Sequence, residues 1–209
     1  MIVAPFDDAQ RFWDERFAAP EYIFGTRPNR FLAAQAARFK PGQAVLDVAC
    51  GEGRNSVWLA EQGCEVTGID VSPLALQKAR RLAEEHSVTV AFEQADIRTY
   101  GWGGGRFDAI VCIFIQFAAP ADRERLFTGF LDTLKPGGIV VLQGYTPRQL
   151  EYRTGGPGDL AHLYTREMLQ EAFGGFEILL LEAHEDVLDE GTKHVGRSAL
   201  IDLVARKRA

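Results

Sequence analysis

Apolar, strand-like runs alternate with segments of helical periodicity over the middle of the chain. Because strands joined by helices form parallel sheets with right-handed crossovers, this alternation predicts a doubly wound α/β fold. The strand-like runs lie at 44–49, 65–70, 88–93, 107–113 and 138–144, and the helical segments lie between them at 54–62, 73–86 and 121–134.

The two ends of the chain follow other patterns. Residues 7–18 begin with a capping aspartate and carry apolar side chains near helical spacing, which predicts a helix, followed by a turn-like stretch at 20–29 and a second helix at 30–39. At the other end, 176–187 and 194–206 are long strand-like runs joined by Leu-Asp-Glu-Gly-Thr-Lys, which predicts an antiparallel hairpin. The expected Rossmann-like sheet therefore has seven strands, mostly parallel, with an antiparallel C-terminal strand.

Composition limits the classes of protein that fit. The 209 residues are 46% hydrophobic and contain no Pro/Gly/Ser-rich linker, which predicts one domain over 1–209. A formal net charge of −6 argues against a nucleic-acid partner, because phosphate binding needs clustered Lys and Arg and the basic cluster here is confined to 206–208. The longest apolar runs, 109–117 and 139–142, are far shorter than the roughly twenty residues that a membrane helix needs.

Targeting signals and cysteine spacing indicate a cytoplasmic protein without a metal. The first residues lack a basic n-region and an extended apolar core, so we expect no signal peptide. The three cysteines, Cys50, Cys64 and Cys112, have no metal-ligand spacing, so we expect neither a metal site nor a disulfide framework. We interpret Cys50 and Cys112 as small buried hydrophobes rather than redox nucleophiles. We expect a monomer or a homodimer.

The most informative segment is 45–55, where an apolar strand ends in Asp47 and runs into a turn that contains Gly51 and Gly53. Glycine takes positive φ and lets backbone amides approach a ligand closely. A second strand ends in Asp70, about twenty residues beyond the first acid, which is the arrangement of a βαβ nucleotide-binding half with a carboxylate for ribose hydroxyls. Either aspartate has the alternative role of capping the next helix.

Four ordered segments carry a family resemblance. They are 45–55, the stretch Gly68-Ile-Asp-Val-Ser-Pro, the stretch Gln94-Ala-Asp-Ile, and the pair 107–117 with 134–139. In this order they resemble class I S-adenosylmethionine (SAM)-dependent methyltransferases, and the resemblance covers 43–144. It implies that SAM is the cofactor and that its binding residues are Asp47, Ala49, Gly51, Gly53, Asn55, Asp70, Val71, Ser72, Asp96, Ile97, Cys112 and Phe117.

The resemblance also implies a role for each of the main residues. Asp47 orders the turn and contacts the methionine portion of SAM, Asp70 binds the ribose, and Asp96 with Ile97 holds the adenine. Asp96 has a structural alternative, since an acid after a strand is common in any α/β protein. Ala49 replaces the first loop glycine of the family, a small substitution that tightens the turn.

The flanking segments resemble a narrower group. Residues 13–17, 22–29 and 191–197 look similar to the tellurite-resistance methyltransferases and their small relatives. In that group a hairpin histidine reaches the active site, and His194 has its position, while Val195 stands where an adjacent arginine is typical. The resemblance implies a helical lid at 1–40, a SAM-binding core at 41–145, and a substrate loop and hairpin at 146–209. The implied lid and substrate residues are Trp13, Tyr22, Phe24, Gly25, Arg27, Tyr145 and Arg197.

The implied reaction asks for alignment and water exclusion, because methyl transfer from a sulfonium is an in-line displacement. A thiolate, selenide or telluride attacks unaided, whereas an oxygen or nitrogen nucleophile needs a base, for which His194 is the leading candidate. A purely structural hairpin histidine is the alternative. Gln116 either faces the transferred methyl group or is exposed to solvent. The predicted function is methyl transfer to a small molecule, with a chalcogen oxyanion, a thiol or another small metabolite as acceptor.

Two other function classes remain open. An NAD(P)-dependent oxidoreductase would share the glycine turn and Asp70, but it would usually carry a third glycine where Asn55 or Ser56 stands. A SAM-binding protein without catalysis would share the binding residues, because the binding signatures are clear and the catalytic ones are not. Fold alone does not separate these classes, since function lies in the site.

Overall fold

The structure is a computed structural model that describes residues 9–208. The predicted first helix is described from Ala9 onwards, so its proposed start at Asp7 lies outside the described residues. The strands, in chain order, are β1 (Ala44–Val48), β2 (Glu65–Asp70), β3 (Ala91–Gln94), β4 (Phe107–Ile113), β5 (Leu134–Tyr145), β6 (Phe176–Glu190) and β7 (His194–Lys207).

One seven-stranded sheet contains these strands in the order β3-β2-β1-β4-β5-β7-β6. The pairs β1–β2, β2–β3 and β4–β5 are parallel, and β7 runs antiparallel to β5. The predicted fold class, an α/β sheet that is mostly parallel and has an antiparallel C-terminal strand, is confirmed.

The helices alternate with the strands as the hydrophobic pattern predicts. None of the helices within 9–208 is long and apolar enough to cross a membrane. The α-helices are α1 (Ala9–Phe17), α2 (Arg30–Ala34), α3 (Arg54–Glu61), α4 (Pro73–Glu85), α5 (Pro120–Thr133), α6 (Gln149–Tyr152) and α7 (Arg166–Ala172), and two short 3-10 helices span Ala36–Arg38 and Leu160–His162.

The described residues divide into two compact units. We call residues 9–100 with 190–193 the N-terminal unit, and residues 101–189 with 194–208 the C-terminal unit. The single domain predicted over 1–209 and its subdivision at 1–40, 41–145 and 146–209 stay predictions.

In the N-terminal unit, the start of α4 follows from its sequence. The hydroxyl of Ser72 accepts a hydrogen bond from the amide of Ala75 at 3.1 Å, and Pro73 occupies the first helical position, where its missing N–H costs nothing. The apolar face of the helix is buried, and Leu82 packs against Val57 of α3. This packing sets the position of the turn between β1 and α3.

In the C-terminal unit, β5 is the most buried strand. Val140, Val141 and Leu142 are completely buried, as expected for a central strand covered on both faces. The register with β4 shifts between Phe107 and Ala109. The Lys-Pro-Gly-Gly stretch at 135–138, predicted to be a turn before the fifth strand, therefore lies within β5 as a bulge.

Three local features differ from the sequence prediction. The second predicted helix breaks at Gln35, where the chain tightens into a 3-10 turn. The segment between β5 and β6, expected to be a loop at its start, contains the short helices α6 and α7. The hairpin turn is shorter than predicted, because β6 continues to Glu190 and leaves 191–193 as the connection.

Candidate active site

Asp47 ends the predicted first strand in a fully buried position. Its carboxylate is 1% exposed and accepts a hydrogen bond from the hydroxyl of Ser56 at 2.6 Å. Burial raises the pKa of Asp47 to about 7, although the Ser56 hydrogen bond and nearby Arg54 act in the opposite direction. The side chain therefore stays close to the following turn in either protonation state.

The turn after β1 bends through three residues with left-handed backbone. The φ angles are +52° at Ala49, +55° at Gly51 and +87° at Gly53. Left-handed φ costs a residue with a Cβ roughly 1–2 kcal/mol, so Ala49 is strained where the family has glycine. At Gly53 a Cβ would lie 2.7 Å from the Cβ of Ala79, so a side chain is excluded there by space as well as by φ.

Asp70 organises the backbone around the same turn. One carboxylate oxygen accepts the amide of Gly51 at 2.8 Å, and the other accepts the amide of Ser72 at 2.9 Å. Burial raises the pKa of Asp70 to about 6, against the lowering effect of these amides. Each oxygen has two lone pairs, so both retain capacity for a hydroxyl donor. This geometry suits the ribose hydroxyls that the sequence assigned to Asp70.

Asp96, the predicted adenine-side acid, is held by its neighbour Arg98. The carboxylate accepts from the Arg98 backbone amide at 2.9 Å and from its guanidinium at 2.5 to 3.1 Å. Partial burial raises the pKa of Asp96, but the hydrogen bonds from Arg98 outweigh it and leave the pKa below its ordinary value. Ile97 beside it is buried, as an apolar adenine wall requires. Val71, also predicted to bind SAM, accepts a hydrogen bond from Gln94 through its carbonyl at 3.2 Å.

Three polar side chains, one in the glycine turn and two at the start of α3, contact the segment before α2, and sequence reasoning missed these contacts. Glu52 accepts the amide of Phe24 at 3.4 Å, and Arg54 donates to the Phe24 carbonyl at 3.2 Å. Asn55, predicted to bind SAM, accepts the amide of Asn29 at 2.9 Å. The signal available in the sequence was the presence of charged residues within a glycine turn.

Two of the predicted lid residues, Trp13 and Phe24, pack on Phe17 near this turn. Trp13 stacks on Phe17 with ring centroids 5.6 Å apart, and Phe24 meets the edge of Phe17 at 6.2 Å. Phe17 in turn lies against the glycine turn, since a Cβ on Gly51 would be 3.6 Å from its ring. Ser72, at the start of α4, donates to Asp14 at 2.5 Å and anchors α1 beside them.

The other predicted lid residues serve local structure in the described residues. Tyr22 donates its hydroxyl to the Lys78 carbonyl at 3.2 Å and packs beside Val57. Gly25 takes φ +72°, and Arg27 is exposed. The ligand contacts predicted for Tyr22, Gly25 and Arg27 stay predictions.

In the C-terminal unit, His194 lies within an aromatic group. Its ring is 4.5 Å from Phe114 and 6.0 Å from Tyr145, and Phe114 stacks on Tyr145 at 4.7 Å. We call Phe114, Tyr145 and His194 the aromatic cluster. Phe114 has φ +57°, a strained conformation. Its backbone amide stabilises this conformation by donating a hydrogen bond to the Gln143 carbonyl at 2.8 Å. Sequence reasoning named His194 and Tyr145 but missed Phe114.

Gln116 is hydrogen-bonded to the backbone of Tyr145 in this cluster. Its side chain is 4% exposed, donates to the carbonyls of Tyr145 at 2.8 Å and His162 at 3.1 Å, and accepts the amide of Tyr145. The alternative that Gln116 is exposed to solvent is wrong, because β5 and the 3-10 helix at 160–162 cover it. These hydrogen bonds join Gln116 to backbone groups, and its contact with the transferred methyl group stays a prediction.

Three further predicted site residues, Cys112, Phe117 and Arg197, lie in this unit. Cys112 is completely buried and its thiol faces the Val141 carbonyl at 3.6 Å, which fits a small hydrophobe of the sheet. Phe117 is half-buried after β4. Arg197 is exposed and binds Glu185, which raises the pKa of Arg197 and lowers that of Glu185. Within 9–208, no group of three or more metal-ligating side chains is present.

Comparison with known proteins identifies the family. Residues 45–138 match the family model described as a methyltransferase domain. Ubiquinone biosynthesis O-methyltransferase of Alkalilimnicola ehrlichii is 36% identical over 142 residues, which are 66% of this chain and 57% of that protein. The segment at 45–138 belongs to the class I SAM-dependent methyltransferases. The resemblance drawn from the sequence, with its enzyme class and its cofactor, is confirmed at the level of this methyltransferase family.

Solved structures share the fold of the methyltransferase family. One solved structure is described by the conversion of a disulfide bond into a thioacetal group during echinomycin biosynthesis. It has a TM-score of 0.78 at 20% identity, and the match covers 95% of this chain and 92% of that chain. TehB from Haemophilus influenzae has a TM-score of 0.71 at 17% identity, covering 96% and 67%. At these identities the likeness shows the fold alone. The chain spans 57% of the length of the curated relative from Alkalilimnicola, so the activity of the whole protein is a proposal.

Replacing Gly53 with alanine should destabilise the protein and weaken SAM binding, because the added Cβ meets Ala79 at 2.7 Å with φ at +87°. Gly42→Ala is the matched control, since φ is +80° there and nothing lies within 4 Å of the added Cβ. Urea denaturation should show a loss of roughly 1–2 kcal/mol for the control, from backbone strain, and a larger loss for Gly53→Ala. Equal losses would contradict the collision.

The pKa values of Asp47 and Asp70, about 7 and about 6, lie above the unfolded-state value of about 3.9. The folded protein therefore binds more protons, and this stabilisation is complete below about pH 4 and lost as the pH rises through about 6 to 7. We expect urea denaturation without cofactor to show that the free energy of unfolding of Asp47→Asn, minus that of the wild type, increases from about pH 5 to about pH 8. For Asp96→Asn, whose carboxyl has a lowered pKa, the difference from the wild type should stay constant over this range. Parallel profiles for Asp47→Asn and the wild type would contradict the assignment.

Proposed function

We propose that the chain transfers the methyl group of SAM to a hydroxyl oxygen of a small molecule. The observation that carries the cofactor assignment is Asp70, whose carboxylate orders the amides of Gly51 and Ser72 and keeps lone pairs for ribose hydroxyls. The strained turn after β1 supports it, because such strain persists where function requires a fixed backbone. The residues present thus fit the cofactor of the family.

The N-terminal unit would hold SAM through residues of successive strand ends. Asp70 would bind the ribose, Asp47 lies buried beside the turn that would face the methionine portion, and the buried Ile97 would pack on the adenine. Asp96 contributes through its ordered backbone, because Arg98 occupies its carboxylate. When bound, SAM supplies an electrophilic methyl group on a sulfonium, which needs neither a metal nor a covalent enzyme intermediate.

The aromatic cluster of the C-terminal unit is the proposed acceptor site. Phe114 and Tyr145 form a stacked apolar wall for a planar small molecule, and the imidazole of His194, edge-on to both rings, would act as the base. With SAM as methyl donor, the acceptor oxygen would form its bond to the methyl carbon as the bond from that carbon to the sulfonium sulfur breaks and S-adenosylhomocysteine leaves. His194 would take the hydroxyl proton. The relative from Alkalilimnicola is named an O-methyltransferase, which supports an oxygen acceptor.

The structure gives less support to a chalcogen-oxyanion acceptor. Such an anion would need a cation beside His194. Val195 stands where an adjacent arginine is typical, Arg197 is paired with Glu185 on the surface, and Lys193, which precedes His194, is exposed. A thiol or another soft acceptor would use the aromatic cluster without the base. Cytoplasmic location, a monomeric or homodimeric state and the lack of a nucleic-acid partner stay predictions.

The first test of this function is calorimetric titration with S-adenosylhomocysteine, run beside NADH. The wild type should bind S-adenosylhomocysteine and not NADH. Asp70→Ala should weaken that binding at least about tenfold, because charge-assisted hydrogen bonds to the ribose are lost. Asp132→Ala removes an exposed acid from α5 and should bind as the wild type does. Unchanged affinity in Asp70→Ala would remove Asp70 from the site.

His194→Ala should leave the affinity for S-adenosylhomocysteine unchanged and lower turnover by about 10²-fold or more with small phenols, which must lose a proton. Turnover with thiols, already ionised at high pH, should fall much less. His86→Ala is the matched control, since His86 is exposed at the end of α4 and pairs with Glu61. Equal loss with phenols and thiols would assign His194 a positioning role. Binding without turnover of any acceptor in the wild type would favour a non-catalytic SAM-binding protein.

A further inference from the structure

The backbone amide and carbonyl of Phe24 are hydrogen-bonded by the two side chains that flank Gly53. Glu52, just before Gly53, accepts the Phe24 amide, and Arg54, just after it, donates to the Phe24 carbonyl. Side chains on either side of one glycine therefore grip one residue of a segment almost thirty positions earlier. The backbone of the turn and the segment before α2 are mechanically linked within the N-terminal unit.

Both charges in this grip are buried and neutralised. Lys78 pairs with Glu52 at 2.8 Å, and Glu190 pairs with Arg54 at 2.7 Å, with each side chain 11% exposed or less. A buried charge that loses its partner is strongly unfavourable, because neither water nor another charge replaces it. The geometry of Arg54 therefore depends on Glu190, which comes from the end of β6.

Glu190 makes more than one contact in the N-terminal unit. While one oxygen binds Arg54, the other accepts the Asn29 side-chain amide at 3.1 Å and the Arg30 backbone amide at 3.3 Å. Asn29 in turn donates its backbone amide to Asn55 of the glycine turn at 2.9 Å. Glu190 thus reaches the turn by two routes, directly through Arg54 and indirectly through Asn29 and Asn55.

The neighbours of Glu190 are packed to hold it in place. A Cβ on Gly191 would lie 2.4 Å from the amide nitrogen of Gly25 and from the carbonyl oxygen of Ile23. The amides of Thr192 and Lys193 both donate to that Ile23 carbonyl, at 2.8 and 3.2 Å. Only glycine fits at this approach, so the hairpin tip is built for contact with residues 23–25.

We infer that Glu190 is a positioning residue of the cofactor site. It fixes Arg54 at the first turn of α3 and thereby the backbone of the glycine turn that receives SAM. Without its charge, Arg54 would turn towards water and release the Phe24 carbonyl, and the turn would sample other conformations. This role rests on the proposed function, since it requires that the turn binds SAM.

The test compares Glu190→Gln with Glu182→Gln, an exposed acid on the same strand that lies outside the contacts described. Glu190→Gln keeps the size of the side chain and removes its charge. We expect the Kd for S-adenosylhomocysteine and the KM for SAM to rise about tenfold, with kcat within about twofold of the wild type. Glu182→Gln should match the wild type in both. This split between KM and kcat would not follow from a general loss of folded protein.

Hydrogen exchange of the cofactor-free protein gives a second readout. The backbone amides of Phe24 and Asn29 donate to Glu52 and Asn55 rather than to Glu190, so faster exchange of these two amides in Glu190→Gln would show that the effect is transmitted. Gly191→Ala pushes the tip away by steric contact and leaves every charge in place. It should reproduce the rise in Kd and the faster exchange, and it covers the case in which Glu190→Gln fails to fold.

The outcomes separate this role from the function on which it rests. A wild type that does not bind S-adenosylhomocysteine would overturn the proposed function and the role of Glu190 together. A wild type that binds, with Gly191→Ala and any folded Glu190→Gln binding equally well, would overturn the role of Glu190 alone. A lowered Tm with unchanged Kd would reduce Glu190 to a structural residue.

Discussion

Charge buried away from water is the constraint on which the N-terminal unit depends. Asp47 lies one residue before the end of β1 and Asp70 ends the adjacent parallel strand β2, and burial holds the pKa of each well above that of an aspartate in solution. Folding tolerates this because hydroxyl and amide donors meet the carboxylates at 2.6 to 2.9 Å. The Gly51 amide belongs to the turn after β1, the Ser56 hydroxyl to α3 and the Ser72 amide to the start of α4, so satisfying the charges also fixes the turn and the starts of both helices.

The same turn has a strained backbone, and buried ion pairs of Glu52 and Arg54 stabilise it. Ala49 accepts a left-handed conformation that favours glycine, and Gly53 admits no side chain. Glu52 and Arg54 extend from the turn to the Phe24 backbone, each with a buried partner of opposite charge. Strain at a binding turn persists only when its surroundings determine its shape fully, and these ion pairs supply that determination.

In the C-terminal unit the aromatic cluster depends on packing rather than on charge. Phe114 adopts positive φ beyond β4, and its ring lies on Tyr145 and against His194. Gln116, two residues later, satisfies the backbone of Tyr145 and the loop at His162. One short segment after a strand thus forms a wall of the aromatic cluster and anchors the backbone behind it.

The hydrophobic period and the turn chemistry of the sequence determined the α/β alternation, the closing hairpin and the strand-end aspartates, because these are local properties of a few consecutive residues. The partnerships of Asn55, Arg54 and Glu190 were decided by the tertiary structure. Nothing in the local pattern distinguishes an asparagine that binds a ligand from one that binds the Asn29 backbone 26 residues away. Glu190 meets Arg54 across 136 residues, and such pairing exists only after the strands have assembled, since it depends on which side chains lose water together.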